Sequence, residues 1–187
     1  MPIGINGSGT VTGISVGGLP DGIVDADMLA TKTFTSYAVI ADQKSGSSDG
    51  GTFNNGAWRT RDLNTEIADP DGIVSISTNQ FTLQAGSYLI EATAPACQTG
   101  GHQCRLYNAT DGATVQIGSA EFARSGSHSQ THSFVSARVT ISGAKAFEIQ
   151  HRCAVSRDDY GFGTGNSGTV NWGEGTLFCE VKIYKEA

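Results

Sequence analysis

From Ser36 to Tyr184 this chain alternates short apolar-polar runs with glycine-, proline- and aspartate-bearing turns, and nowhere sustains the 3.6-residue apolar period of an amphipathic helix. Residues 37–42 open the series. Trp58-Arg59-Thr60-Arg61-Asp62-Leu63 reads as a second strand, and Asp69-Pro70-Asp71-Gly72 as a tight turn. Residues 74–77 and 81–83 alternate, Ala85-Gly86 breaks the pattern, and residues 88–92 resume it. Leu106-Tyr107-Asn108 runs into Asp111-Gly112, a hairpin signal that returns through residues 114–117. Residues 133–141 and 146–153 are expected to pair across Ser142-Gly143, and residues 176–184 form the last strand. About ten short strands without a helix predict an all-β sandwich or jelly roll.

The first 33 residues obey a different rule. Their apolar side chains (Ile3, Ile5, Val11, Ile14, Val16, Leu19, Ile23, Val24, Met28, Leu29) are too scattered to close a core, and glycine carries the largest entropy cost of ordering. Gly17-Gly18-Leu19-Pro20-Asp21-Gly22 is a turn signal, Asp25 reads as the N-cap of one helical turn through Ala30, and residues 9–16 could pair as strands if given a partner edge. The chain is therefore expected to divide into an extended anchoring arm over residues 1–33 and a head over residues 34–187. The arm is expected to be ordered only by something that holds it.

Composition narrows the partners. A net charge of −6 without clustered Lys and Arg argues against nucleic acid. No apolar run approaches the ~18 residues of a membrane span. The N-terminus lacks the basic-then-apolar layout of a signal peptide, so synthesis in a cytosol is expected. Cys97, Cys104, Cys153 and Cys179 do not have zinc-ribbon spacing. Cys153 shares an alternation face with Phe147 and Ile149, and Cys179 shares one with Leu177, Val181 and Ile183, as small core residues would. A Cys97–Cys104 bridge is conceivable, but reduced buried thiols are the favoured reading.

Several side-chain groups are candidates for chemistry. His128 and His132 share a strand face and could reach one metal or approach their copies across a symmetry axis. No carboxylate or thiol joins them in the segment, so two exposed polar side chains is the favoured reading. Asp42, Asp49, Asp69 and Asp71 could gather calcium, but none forms the spaced calcium-hand series, and Asx-turns account more simply for Asp71-Gly72 and Asp49-Gly50. Trp58 beside Arg59, Arg61 and Asp62 resembles a sugar-binding surface. The competing reading, a core Trp58 with arginines paired to Asp62 or Glu66, is favoured here. Arg157, Asp158, Asp159, Tyr160 and Phe162, in a glycine-rich loop expected to be mobile, are the better receptor-contact residues, because aromatic side chains give large contact area at low entropic cost. A loop folded onto a neighbouring copy is the competing reading. No GxSxG, HExxH or Walker pattern is present, and Gly161-Phe162-Gly163-Thr164-Gly165 lacks the lysine of a phosphate loop. Glu121 and Glu174 as a glycosidase pair rest on no more than the 18 acidic residues available. No enzyme activity and no cofactor are expected.

Three segments resemble the tumour necrosis factor and complement globular-head superfamily. They are Phe81-Thr82-Leu83-Gln84-Ala85-Gly86-Ser87-Tyr88-Leu89-Ile90, Ala146-Phe147-Glu148-Ile149-Gln150, and Phe178-Cys179-Glu180-Val181-Lys182-Ile183-Tyr184. The resemblance spans residues 36–187 and implies a ten-stranded jelly roll that assembles as a homotrimer. Residues 17–30 look like linker segments of tailed-bacteriophage fibre and virion proteins, and residues 50–76 look like phage structural proteins carrying such a jelly roll. Together these imply a virion protein, although the long shaft of many fibres is missing.

The expectation is a non-enzymatic, trimeric phage surface protein, assembled in the host cytoplasm and displayed on the virion surface. Its arm (Ile3, Ile5, Val11, Ile14, Val16, Leu19, Pro20, Met28, Leu29) would pair with another virion subunit by strand addition, with three arms adding avidity. Its loops would contact a host-surface glycan or protein. Capsid decoration, clamping the shell at local three-fold positions, is the alternative placement. A free lectin-like or cytokine-like binding module is the alternative class.

Overall fold

Alternation puts one face of each long strand into the interior and the other into solvent. In β8 (Gly86–Cys97), for example, Tyr88, Ile90, Ala92 and Ala94 are buried while Leu89, Glu91 and Thr93 are half-buried. The computed structural model describes residues 4–5, 11–12, 33–127, 129–165 and 173–187. It divides into two units, Met1–Thr33 and Phe34–Ala187. In the first unit, β1 (Gly4–Ile5) pairs antiparallel with β2 (Val11–Thr12). The turn at residues 17–22, the helical turn after Asp25, and the arm residues Ile3, Ile14, Val16, Leu19, Pro20, Met28 and Leu29 lie outside the described residues.

The second unit is built from strands alone among the described residues. They are β3 (Phe34–Lys44), β4 (Arg59–Thr60), β5 (Thr65–Ala68), β6 (Val74–Ser77), β7 (Gln80–Leu83), β8, β9 (Gly100–Asn108), β10 (Ala113–Ala123), β11 (Gln130–Ile141), β12 (Lys145–Cys153) and β13 (Thr176–Glu186). One sheet runs β11-β8-β13-β3-β5. The other runs β10-β9-β12-β7-β6, with β4 attached to β12. All pairs are antiparallel, and Ile40, Ile90, Val181 and Ile183 join Phe81, Leu106, Phe147 and Ile149 in one core cluster. The expected hairpin through Asp111-Gly112 forms as β9–β10.

Three local expectations are corrected. Residues 133–141 and 146–153 do not pair: β11 lies along β8 over twelve residues, from Gln130↔Cys97 to Ile141↔Gly86, while β12 lies between β9 and β7 in the opposite sheet. Ser142-Gly143 is thus a crossing between layers, because non-local pairing satisfies more of β11's backbone than a local hairpin could. Only Arg59–Thr60 of residues 58–63 forms a strand. In β13 the register shifts between Leu177 and Glu180, so Phe178 and Cys179 are both buried and Leu177 is turned out, 47% exposed.

A second bulge closes the sandwich at one side. Between Ile117 and Ala120 the β10 register slips against β9. There Ser119 accepts from Ser133 Oγ (2.6 Å), its hydroxyl accepts from Phe134 N–H (3.0 Å), and Gly118 O accepts from Gln103 Nε2 (2.8 Å). A Cβ on Gly118 would lie 2.6 Å from Phe134 O and 2.7 Å from Cys104 Sγ. Glycine is required because two backbones approach there. Gly118→Ala is expected to cost about 1–3 kcal/mol by overpacking, read as a Tm several degrees lower in thermal unfolding; an unchanged Tm would show the contact to be slack.

Candidate functional site

Arg61, expected at the surface beside Trp58, is wholly buried. It follows β4, and its backbone N–H bonds Ile149 O (2.8 Å). Its guanidinium donates to Pro95 O (3.1 Å) and Phe162 O (2.8 Å), and lies 4.2 Å from the centre of the Phe162 ring. Its Nε has no hydrogen-bond partner among the described residues. Burial lowers its pKa, opposed by the Cys179 thiol and by Asp42 and Asp62. Neither expected carboxylate partner forms an ion pair with it: Asp62 is taken by Lys44 (2.8 Å), which also holds Asp42 (2.9 Å).

Beside Arg61 lies a buried histidine pair. His102 from β9 and His151 from β12 are four and zero per cent exposed, with His102 Nδ1 2.9 Å from His151 Nε2 and His102 Nε2 2.7 Å from Thr131 Oγ1. His151 Nδ1 has no partner among the described residues. The tautomer set that leaves no buried ring N–H unpaired has His151 Nε2–H donating to His102 Nδ1, His102 Nε2–H donating to Thr131 Oγ1, and His151 Nδ1 without a proton. Burial lowers His102 to about 4, with Arg61 adding to the shift and Glu121 opposing it. Burial, Arg61 and His102 together hold His151 well below the usual imidazole range. Burial also pushes the Cys179 thiol up to about 12 and Cys153 to about 11, so neither is a thiolate nucleophile near neutral pH. All four cysteines are free and buried.

The loop expected to be mobile is stitched in place. Phe53 and Arg157 exchange backbone bonds (2.8 and 3.0 Å), Gly50 N–H donates to Gly163 O (2.8 Å), Gly51 N–H to Asp159 O (2.7 Å), and Cys97 N–H to Gly161 O (3.1 Å). Arg157 Nε donates to Gln98 O (2.9 Å). Phe162, expected among the contact residues, packs inward on Phe53 with ring centres 4.3 Å apart. Asp158 and Asp159 are exposed and Tyr160 is half-buried, so they carry what the loop presents outward.

The remaining sequence candidates separate. His132 is exposed on β11, and His128 lies outside the described residues. Asp49 accepts from Gly165 N–H (2.7 Å) and Asp69 caps the N–H groups of Ile73 and Val74 (2.9 Å each), while Asp71 accepts from Ser36. The four aspartates do not converge, and no group of three metal-ligating side chains occurs among the described residues. Trp58, expected in the core, lies half-buried on the outer side, stacked by Arg105 at 4.2 Å. Arg61 took the interior place, where its guanidinium donates to the Pro95 and Phe162 carbonyls.

Sequence reasoning named Arg61 but not its burial, and missed His102 and His151. The histidines are 49 residues apart, and only the β9–β12 register, His151↔Cys104 and Cys153↔His102, brings them together.

The outer surfaces carry unpaired apolar groups. On the five-stranded sheet, Phe34 (37% exposed) and Tyr37 (48%) flank Tyr184, with Phe34 and Tyr184 ring centres 5.3 Å apart, around a hollow of about 210 Å³. On the edge strand β10, Ile117 and Phe122 are 58 and 66% exposed, and on the outer face of the five-stranded sheet Phe134, opposite Thr93, is 44% exposed.

No protein-family model matches the chain, and no curated protein matches it by sequence. Solved structures do match. The Eiger tumour necrosis factor of S. frugiperda aligns at 13% identity and TM-score 0.53, over 83% of this chain and 94% of that one. PRD1 vertex protein P5 aligns at 13% identity and TM-score 0.52, over 82% of this chain and 99% of its own. Murine APRIL aligns at 6% identity and TM-score 0.51, over 80% and 98%. At such identities the likeness concerns the fold: the head is a jelly roll of the tumour necrosis factor type.

The buried histidines predict an acid limit. Their folded pKa values lie below the unfolded value of 6.5, so the unfolded chain binds more protons as pH falls and stability is lost from about pH 6.5 toward 4. Unfolding in urea across that range is expected to show the loss, with a shallower slope in His102→Gln; equal slopes would assign the acid sensitivity elsewhere.

Proposed function

We propose that this chain is a non-enzymatic structural protein of a bacteriophage particle. Three heads form a surface knob or short fibre, the arm of residues 1–33 anchors it to another virion subunit, and the outward loops meet the host surface. The observation that carries this reading is the pair of unlike apolar patches on the head. One is the hollow beside Phe34, Tyr37 and Tyr184; the other is the edge strand β10, where Ile117 and Phe122 stand exposed.

A monomer rarely leaves such patches uncovered. Because the two differ in shape, copies that dock edge to hollow make a head-to-tail contact, which closes into a ring when the rotation permits. A ring of three follows from the resemblance of the sequence to the trimeric superfamily. The likeness in fold to PRD1 vertex protein P5 is in keeping with a virion setting.

Sedimentation of the full chain is expected to give three times 19.5 kDa. Tyr37→Glu and Ile117→Lys should each shift it to monomer with the fold retained. A monomeric wild-type chain at ~10 μM, where a micromolar complex would be well populated, would contradict the reading. A chain without residues 1–33 should remain trimeric yet fail to join the particle. Particles lacking the protein separate the placements: lost adsorption marks a fibre, and reduced heat resistance of the filled head marks a decoration protein.

A further inference from the structure

We propose that the cavity beside Trp58 is a saccharide-binding site. The inference rests on the surface-attachment reading and supplies its ligand class. The cavity, about 560 Å³, opens on the six-stranded sheet between the ends of β9, β10 and β12, and Trp58, Gly101, Gln103, Glu121 and Arg152 line it. Small-ligand sites commonly occupy roughly 300–1,000 Å³.

The indole is held before any ligand arrives. The Arg105 guanidinium lies 4.2 Å from the Trp58 ring centre and 4.7 Å from that of Tyr107. Arg105 is fixed in turn by Gln150 Oε1 (2.8 Å from Nε) and Thr114 Oγ1 (2.8 Å). Arg105 lies over the indole without lining the cavity, whereas Trp58 does line it. A fixed aromatic surface loses little entropy on binding.

The polar groups are held in reserve. Glu121 and Arg152 line the same cavity with opposite charges, yet they form no ion pair with each other. Neither has a hydrogen-bonded side chain among the described residues. Gln103 commits its Nε2 to Gly118 O (2.8 Å) and keeps its carbonyl oxygen as an acceptor. One aromatic ring, one cationic fork and two acceptors match a sugar ring, which has an apolar C–H face and hydroxyls that donate and accept around its rim.

Other ligand classes fit less well. An apolar ligand would desolvate Glu121 and Arg152 without replacing their water. A phosphate would meet the Glu121 carboxylate on a chain of net charge −6. β10 supplies Glu121 to the cavity and Ile117 and Phe122 to the proposed subunit edge, so the cavity opens at the rim of that contact.

The test is an NMR titration of the ¹⁵N-labelled full chain with the methyl glycosides of glucose, galactose, rhamnose and N-acetylglucosamine, and with inorganic phosphate. At least one glycoside is expected to shift the Trp58 indole N–H with a dissociation constant on the order of 1 mM, a binding energy of ~4 kcal/mol. Trp58→Ala and Arg152→Ala should each weaken it tenfold or more. Gly101→Leu should block it, since a Cβ there meets no atom within 4 Å and the added side chain fills open space. The proposal is overturned if no glycoside binds, if phosphate alone binds, or if binding survives both Arg152→Ala and Gly101→Leu in chains that keep the wild-type amide spectrum. The titration requires neither trimer nor particle: a monomer that binds sugar would defeat the attachment reading alone, and a trimer that binds none would defeat this proposal alone.

Discussion

One buried cation organises the end of the sandwich from which the loops emerge. Arg61 can sit in the interior only because backbone carbonyls of β8 and of the 157–163 loop converge on it, at Pro95 and Phe162. A guanidinium without a carboxylate partner is costly to bury, and each hydrogen bond and the Phe162 ring offset part of that cost. The consequence runs outward. Phe162 is drawn down onto Phe53, the loop above it is fixed by backbone bonds to residues 50–53, and burial, with the Arg61 charge adding to it, keeps the neighbouring histidines neutral. Residues 157–163, which the sequence presents as part of a flexible loop, are therefore tied to the structure beneath them.

That rigidity bears on function. The interior is given to structure: burial raises the Cys153 and Cys179 thiols, and the buried imidazoles of His102 and His151 bond each other. What the head presents outward is surface: an aromatic hollow on one sheet, and an apolar edge strand and a tryptophan-walled cavity on the other sheet. Each is carried on strands or anchored loops, so each is shaped before anything binds.

The strands were legible because period-two alternation is written locally; Tyr88-Leu89-Ile90 needs no knowledge of its neighbours to be read. Their partners were not. β11 and β12 are adjacent in the chain and end in a turn signal, yet lie in opposite layers, because register is decided by contacts some forty residues away. The β13 bulge was hidden for the same reason: Leu177, Cys179 and Val181 share a face only until a residue is added between them. Trp58 and Arg61 exchanged their expected places. Composition favours burying tryptophan and exposing arginine, and only the convergence of two distant carbonyls reverses it. Phe162 was legible as an aromatic in a glycine-rich loop, but not as one turned inward, since Phe53 lies more than a hundred positions earlier.

The account stands on a head that assembles with its own copies and is carried on a particle by its arm. Electron-microscopic imaging of the assembled particle, with the chain located by a bound antibody fragment, tests this most directly. It predicts three-lobed density on the particle surface, one jelly-roll head per lobe, with residues 1–33 running into an underlying subunit. Single isolated heads, or particles without the chain, would contradict it.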